Sequence, residues 1–363
     1  MRVGIIGGGQ LGMYLVDAAH ALGHTTVVLD PGHDASARQN SDEFVCAEYD
    51  DHDALSILAS QSDVITYEFE NVKAEVIDFL KSIHANVPQG KKPLLIAQHR
   101  ITEKTSIHEA GIRTANFLPL HTIEEAQSLS RLMEYPFLIK TCTGGYDGKG
   151  QWVIRNDFDL YDYVTQFKAN EYIVESMVDF TCEISVIAVR GKTGKTITFE
   201  PIENIHENGI LHLSISPARV DDVMKNKAKR IAIQIMDRLD FIGIVAIEMF
   251  VGKDGEIYVN EIAPRPHNSG HLTMDGYQVS QYENALRAIL NGDVLEPAIT
   301  KPCVMVNVLG QHLEAAVSHE LPDHARLYLY GKPEARINRK MGHITFWGEN
   351  LEELIQEAEA AII

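Results

Sequence analysis

The chain has 363 residues, more than one hydrophobic core usually supports, and an ordinary globular composition, so two or three domains are expected. Its 51 acidic residues against 32 basic ones give a net charge of −19 with no long basic run. That argues against nucleic acid and anionic membrane as partners, while local geometry can still hold a phosphate.

The four cysteines show no CxxC spacing, and no apolar stretch is long enough to span a bilayer. A reduced, cytoplasmic protein without disulfides or a cysteine metal site is expected. From the N-terminus, Val3 to Ile6 reads as a buried strand, Gln10 to Leu22 as a helix and Thr25 to Leu29 as a strand. Asp53 to Ser60 and Asp63 to Thr66 repeat that order, which predicts a parallel sheet of βαβ units. Between them Gly7-Gly8-Gly9-Gln10-Leu11-Gly12 satisfies G-x-G-x-x-G, with Asp30 about twenty residues on. Taken alone, that turn is a dinucleotide site, a generic anion-facing helix start, or simple packing.

A boundary is expected near Pro88 to Pro93, and Thr122 with Glu125 forms a capping box. An apolar strand from Pro136 delivers Lys140 into a glycine-dense loop, Thr143 to Gln151. Glycine backbone can approach phosphate oxygens closely, and Lys140 and Lys149 add charge; a bare hairpin tip is the plainer reading. Gly191 to Thr196 mimics a P-loop, but Val189 stands where the first glycine is needed, so it reads as a hairpin turn. Lys225 to Leu239 is a helix with Ala228, Ile231, Ala232, Ile235 and Leu239 on its core stripe.

Two strands follow, Gly243 to Val251 and Glu256 to Ile262. If Val251 faces Glu256, then Ala246 faces Glu261, and Glu248 lies diagonal to Glu261 at about 7–8 Å. With Asn260 these carboxylates offer hard oxygen ligands for Mg²⁺ and a nucleotide. The run NEIAPRPHNSGH, Asn260 to His271, then sets Arg265 and His267 between prolines that fix φ, a stiff presentation suited to anions and metal. Ser280 with Glu283 is a second capping box, Asn291 to Pro302 a boundary, and a small β-rich piece precedes a last helix, Leu351 to Ala361.

A strand lysine before a glycine lid, followed by a Glu and an Asn-Glu pair on adjacent strands, resembles the ATP-grasp fold. More narrowly, GGYDGKGQ at 144–151, NEIAPRPHNSGH at 260–271 and YGKPEARINRKMGH at 330–343 resemble the 5-(carboxyamino)imidazole ribonucleotide synthase family of purine biosynthesis. The resemblance implies an α/β architecture: an N-terminal Rossmann-like domain (1–98), an ATP-grasp domain with the glycine lid (99–293) and a small C-terminal β-rich domain (294–363). It implies an ATP-dependent ligase that carboxylates 5-aminoimidazole ribonucleotide with bicarbonate, a homodimer, and product hand-over to the downstream carboxyaminoimidazole ribonucleotide mutase.

It further places Arg100, Lys140 and the lid residues Gly145, Tyr146, Asp147, Gly148, Lys149, Gly150 and Gln151 at ATP. Glu175, Ser176, Met177 and Val178 face adenine, Glu183 the ribose, and His206 the nucleotide. Glu248, Asn260 and Glu261 hold Mg²⁺, with Mn²⁺ able to substitute, and Asn260 and Glu261 also contact ATP. Gly9, Gln10, Leu11, Glu70, Tyr146, Arg265, His267, Asn268, Ser269, Lys332 and Arg339 bind the ribonucleotide. Arg265, His267 and Asp147 are the implied catalytic groups, with Asp147 or His267 accepting the amine proton. The rival readings are an NAD-linked dehydrogenase, a nucleotide-binding regulator without catalysis, and a formate-using ligase.

Overall fold

The computed structural model describes residues 1–144 and 150–363. A four-stranded parallel sheet comes first, with Glu43–Val45, Thr25–Leu29, Arg2–Ile6 and Val64–Tyr67 in that spatial order. Its strands are nearly all apolar because both faces are covered. Leu55, Leu58, Ile77 and Leu80 pack under one face, and Tyr14, Leu15 and Val16 of helix Gln10–Ala21 cover the other.

A second sheet is antiparallel, in the order Phe117–Leu120, Tyr172–Ser176, Phe137–Thr141, Gln151–Ile154. Two helices back it, Ile123–Leu132 and Asp157–Thr165. The first starts with both arms of the expected capping box: Thr122 Oγ1 accepts from the Glu125 amide at 3.2 Å, and Glu125 Oε2 accepts from the Thr122 amide at 3.1 Å.

The third sheet is the frame of the molecule. Its main path runs Ile257–Ala263, Gly243–Gly252, Phe180–Arg190, Ile202–Glu207, Ile210–Ser216, Cys303–Leu309, Lys340–Trp347, Ala325–Leu329. Thr196–Thr198 hangs on Phe180–Arg190, so Gly191 to Lys195 is the hairpin turn expected. The three C-terminal strands join this sheet through Leu213 opposite Val306, so the β-rich tail extends the central sheet instead of closing a sheet of its own. Helix Asp222–Leu239 covers one face with Ala228, Ala232, Ile235, Met236 and Leu239. Met236 takes the place expected for Ile231, which is only partly buried. Helix Gln281–Leu290 covers the other face and packs on Gln10–Ala21, tying the first sheet to the third. Its start has one arm of the second expected capping box. Ser280 accepts from the Glu283 amide at 3.1 Å, but the Glu283 carboxylate turns to Arg287 at 2.8 Å.

Candidate active site

The acidic hairpin departs from its expected register twice, and the two departures compensate. Val251 faces Ile257, not Glu256, which by itself would turn Glu261 to the opposite face from Glu248. A bulge beside Met249 then inserts Asn260 as an extra residue, and Glu248 comes directly opposite Glu261. The diagonal pairing expected is thereby corrected to a direct one, with the two Cβ atoms about 4.5–5.5 Å apart. The burial pattern of Ile257–Ala263 loses its alternation at Asn260 and Glu261, both partly exposed, so three oxygen-bearing side chains share the cleft face. The set of two carboxylates and an amide fits a hard dication such as Mg²⁺.

One side of the cleft is a knot of buried charge. Lys140 Nζ donates to Glu175 Oε2 at 2.7 Å, and Lys104 Nζ lies 3.4 Å from Glu175 Oε1. Burial pushes the Glu175 carboxyl up, but Lys104, Lys140 and Arg100 outweigh it and take it down to about 2. Lys104 was not among the sequence candidates. Its neighbour Glu103 is also buried and accepts from the Ile262 amide at 2.6 Å, and burial with the charge of Glu261 pushes its carboxyl up to about 8. One dipeptide of helix Arg100–Glu109 thus braces the lysine strand with Lys104 and the acidic strand with Glu103. Arg100 Nη1 itself reaches Glu261 Oε2 at 3.3 Å. Past Glu175, residues Ser176, Met177 and Val178 line a cavity of about 800 Å³ with Thr114 to Phe117 and Tyr258. Glu183 Oε2 lies 3.1 Å from His206 Nδ1; burial lowers that imidazole's pKa, but Glu183 wins and holds it above the ordinary value.

Beyond the acidic pair, the Pro-Arg-Pro-His turn is held from both sides. Arg265 Nε donates to Glu70 Oε2, an ion pair made across 195 positions of chain. The fully buried Gln281 clamps His267, accepting from its amide at 2.9 Å and donating to its carbonyl at 2.7 Å. His267 Nδ1 accepts from the Ser269 amide at 3.3 Å, which leaves Nε2 as the protonated nitrogen, 3.0 Å from Glu248 Oε1. Burial raises Glu248, yet His267, His206 and Arg265 bring it to about 2. A buried polar chain then runs from Ser269 through Ser185 and Asn204 to Ser214, in steps of 2.8 to 3.0 Å. Asn268 donates to Asn307 at 3.3 Å.

The glycine turn is not a dinucleotide seat. Gly8 donates to Asp30 at 2.7 Å, and Gly32 and Tyr49 take the remaining reach of that carboxylate at the same distance. Gly9 and Gly12 donate to Glu68, a buried acid the sequence reading passed over. Gln10 instead accepts from Lys332 at 2.8 Å, joining positions 322 residues apart. Leu11 turns its side chain into the core, so only its amide is available. Lys332 also donates to the Lys340 carbonyl at 2.8 Å, and burial together with Arg339 and Lys340 brings its ammonium down to about 8. Arg339 is anchored to the Glu334 carbonyl at 3.0 Å. Gly150 and Gln151 sit at the start of a strand beside Lys140. The expectations placed on Gly145, Tyr146, Asp147, Gly148 and Lys149 fall outside the described residues.

Three family descriptions match the chain: the ribonucleotide synthetase preATP-grasp domain over residues 1–98, the ATP-grasp domain over 105–282, and the phosphoribosylaminoimidazole carboxylase C-terminal domain over 303–357. The N5-carboxyaminoimidazole ribonucleotide synthase of Bacillus subtilis (strain 168) is 43% identical over 98% of this chain and 93% of its own length. A crystal structure of an N5-carboxyaminoimidazole ribonucleotide synthetase with ADP superposes with a TM-score of 0.96 at 43% identity, over 99% of this chain and 96% of that one. The Aspergillus clavatus enzyme in complex with ADP and 5-aminoimidazole ribonucleotide gives 0.91 at 30% identity, over 99% and 98%.

Proposed function

We infer the chemistry from one premise: the chain belongs to the ATP-grasp family and, within it, to the N5-carboxyaminoimidazole ribonucleotide synthases. It is an ATP-dependent ligase that carboxylates 5-aminoimidazole ribonucleotide in purine biosynthesis. Bicarbonate attacks the γ-phosphorus of ATP and ADP leaves; the resulting carboxyphosphate breaks to CO₂ and phosphate. The amine of the ribonucleotide then adds to CO₂ and loses one proton. The observation that carries the residue assignment is the bulge at Asn260, which sets Glu248, Asn260 and Glu261 on one face between the Lys140–Glu175 pair and the Arg265–Glu70 pair.

In this reading Arg100, Lys140 and Gly145 to Gln151 hold the ATP phosphates. Residues Glu175 to Val178 take the adenine side, and Glu183 with His206 the ribose side. Glu248, Asn260 and Glu261 hold Mg²⁺, or Mn²⁺ in its place, which when bound offsets phosphoryl charge. Glu175 keeps Lys140 aimed, so the lysine needs no reorganisation as charge develops on the phosphoryl oxygens. Glu70 does the same for Arg265 on the bicarbonate side. Gly9, Gln10, Leu11, Tyr146, Asn268, Ser269, Lys332 and Arg339 bind the ribonucleotide, with Lys332 and Arg339 at its phosphate.

Asp147 and His267 are the two candidates for the departing amine proton. His267 can take it only after the Nε2 proton facing Glu248 has moved; with that proton in place it orients Glu248. Domains meeting near 98/99 and 293/294, a cytoplasmic homodimer and hand-over of the labile product to the mutase complete the proposal.

ADP release tests it, measured with ATP, Mg²⁺, bicarbonate and the ribonucleotide singly and together. Full release should need all four, with bicarbonate carbon in an acid-labile product. Release driven by formate instead of bicarbonate, or indifferent to the ribonucleotide, would sink the assignment. If neutral substitutions at Asp147 and His267 together leave turnover near normal with binding intact, neither is the base.

A further inference from the structure

A cluster outside this chemistry lies one residue from it. His99 caps the start of helix Arg100–Glu109, Cys142 follows strand Phe137–Thr141, and Glu171 precedes strand Tyr172–Ser176. Two backbone bonds pin the three together: the Arg100 amide donates to the Cys142 carbonyl at 3.0 Å, and the Cys142 amide to the Glu171 carbonyl at 3.1 Å. An imidazole nitrogen, the thiol sulfur and a carboxylate oxygen lie within 4.8 Å of one another, with His99 Nε2 2.9 Å from Glu171 Oε2. The other ring nitrogen, Nδ1, stands 3.2 Å from the Thr102 hydroxyl, the outer partner a ligating histidine commonly has. Cys142 is buried while Glu171 is exposed, so the cluster has a dry floor and an open mouth.

We propose that His99, Cys142 and Glu171 form a binding site for a zinc-class dication, separate from the hard-oxygen set at Glu248, Asn260 and Glu261. One nitrogen, one sulfur and one oxygen donor suit Zn²⁺ or Co²⁺ and disfavour Mg²⁺, which prefers oxygen alone. On binding, the Cys142 thiol releases its proton to solvent and forms a sulfur–metal bond; no oxidation state changes. The His99 proton moves from Nε2 to Nδ1 and points to the Thr102 hydroxyl, replacing the weak 3.4 Å bond that Nδ1 accepts from the Thr102 amide. His99 precedes Arg100 directly, and Cys142 follows Lys140 by two residues. Binding draws donors that now lie up to 4.8 Å apart in to metal–ligand distance and shifts the backbone that aims Arg100 and Lys140, so zinc acts as a brake on ATP turnover.

The test is a Co²⁺ titration of the full chain, free of nucleotide and Mg²⁺, followed by near-ultraviolet absorbance, because a thiolate–Co²⁺ bond gives a charge-transfer band that oxygen ligands do not. One equivalent should produce the band, Zn²⁺ should erase it, and excess Mg²⁺ should not. Cys142→Ser should abolish it, and His99→Ala or the exposed Glu171→Gln should weaken Co²⁺ affinity at least tenfold. Without zinc, Cys142→Ser should release ADP at the parent rate; with micromolar zinc only the parent should slow. Absence of the band, its survival in Cys142→Ser, or equal zinc inhibition of both proteins would overturn the site. Should Cys142→Ser prove unfolded by circular dichroism, an unchanged affinity in Glu171→Gln overturns it alone.

Discussion

Two lysines that we propose meet phosphate are held in opposite ways. Lys140 is pinned by the Glu175 carboxylate at 2.7 Å, with Lys104 against the other oxygen. Lys332 donates to two uncharged oxygens, the Gln10 side chain and the Lys340 carbonyl, and stands near Arg339. A buried cation with an internal counter-ion is oriented before substrate arrives. One whose hydrogen-bond partners are neutral, and whose burial and cationic neighbours outweigh the single acid Glu68 nearby, loses proton affinity until an anion comes. On the proposed assignment, Lys140 is a cation held for catalysis, where reorganisation must be small, and Lys332 one held for capture.

The comparison breaks first at Lys140. Lys140→Met should lower kcat by about 10²–10³-fold with little change in KM for the ribonucleotide, read from steady-state ADP release. Equal losses in both constants would mean that Lys140 serves capture as well. Next comes Lys104, whose Nζ lies 3.4 Å from Glu175 Oε1 and 3.5 Å from the Val259 carbonyl. Lys104→Met should cost about 2–3 kcal/mol in denaturant unfolding, somewhat less than removal of a sole partner, because Lys140 still compensates Glu175. An unchanged midpoint would show that Lys140 suffices.

At the capture end, Lys332→Met should raise KM for the ribonucleotide by about tenfold while ATP turnover at saturation changes little. The sharpest version is pH. With its ammonium near 8 in the free enzyme, Lys332 is charged below that value and neutral above it. Ribonucleotide kcat/KM should therefore fall as pH rises through about 8, and Lys332→Arg should move that limb beyond the measurable range. The stability effect runs the other way: the unfolded chain binds this proton more tightly, so Lys332 costs stability at neutral pH, and the cost shrinks between about 8 and 10.5. Glu175 shows the complementary sign. Its contribution is present above about 4.5 and lost as pH falls toward 2, a loss that Glu175→Gln should remove from an acid unfolding curve.

Much of this was legible in the residues. The alternation of strand and helix before Thr66, the Lys140 strand, the hairpin at Gly191 and the stiff turn around Arg265 all follow from short-range periodicity and the fixed φ of proline. The bulge was legible too, although it was missed: Ile257 and Val259 alternate in one phase and Ile262 in the other, so one extra residue must lie between them. Other features left no such trace. Lys104 and Glu68 look like ordinary helix and strand-end charges until their carboxylate and amide partners, 71 and 59 positions away, are in place.

The sequence by itself determined the fold class, the family and the chemistry of the donor set, because each rests on residue types at short, regular spacing. Only the tertiary structure decided which charges meet. It put Arg265 against Glu70, Lys332 against Gln10 and Lys104 against Glu175, and it carried the C-terminal strands onto the central sheet at Val306. The reason is physical. A strand's pattern states which face is buried but not which neighbour it pairs with, and a charge states its sign but not its partner; both are chosen by burial, where an unpaired group is too costly to keep.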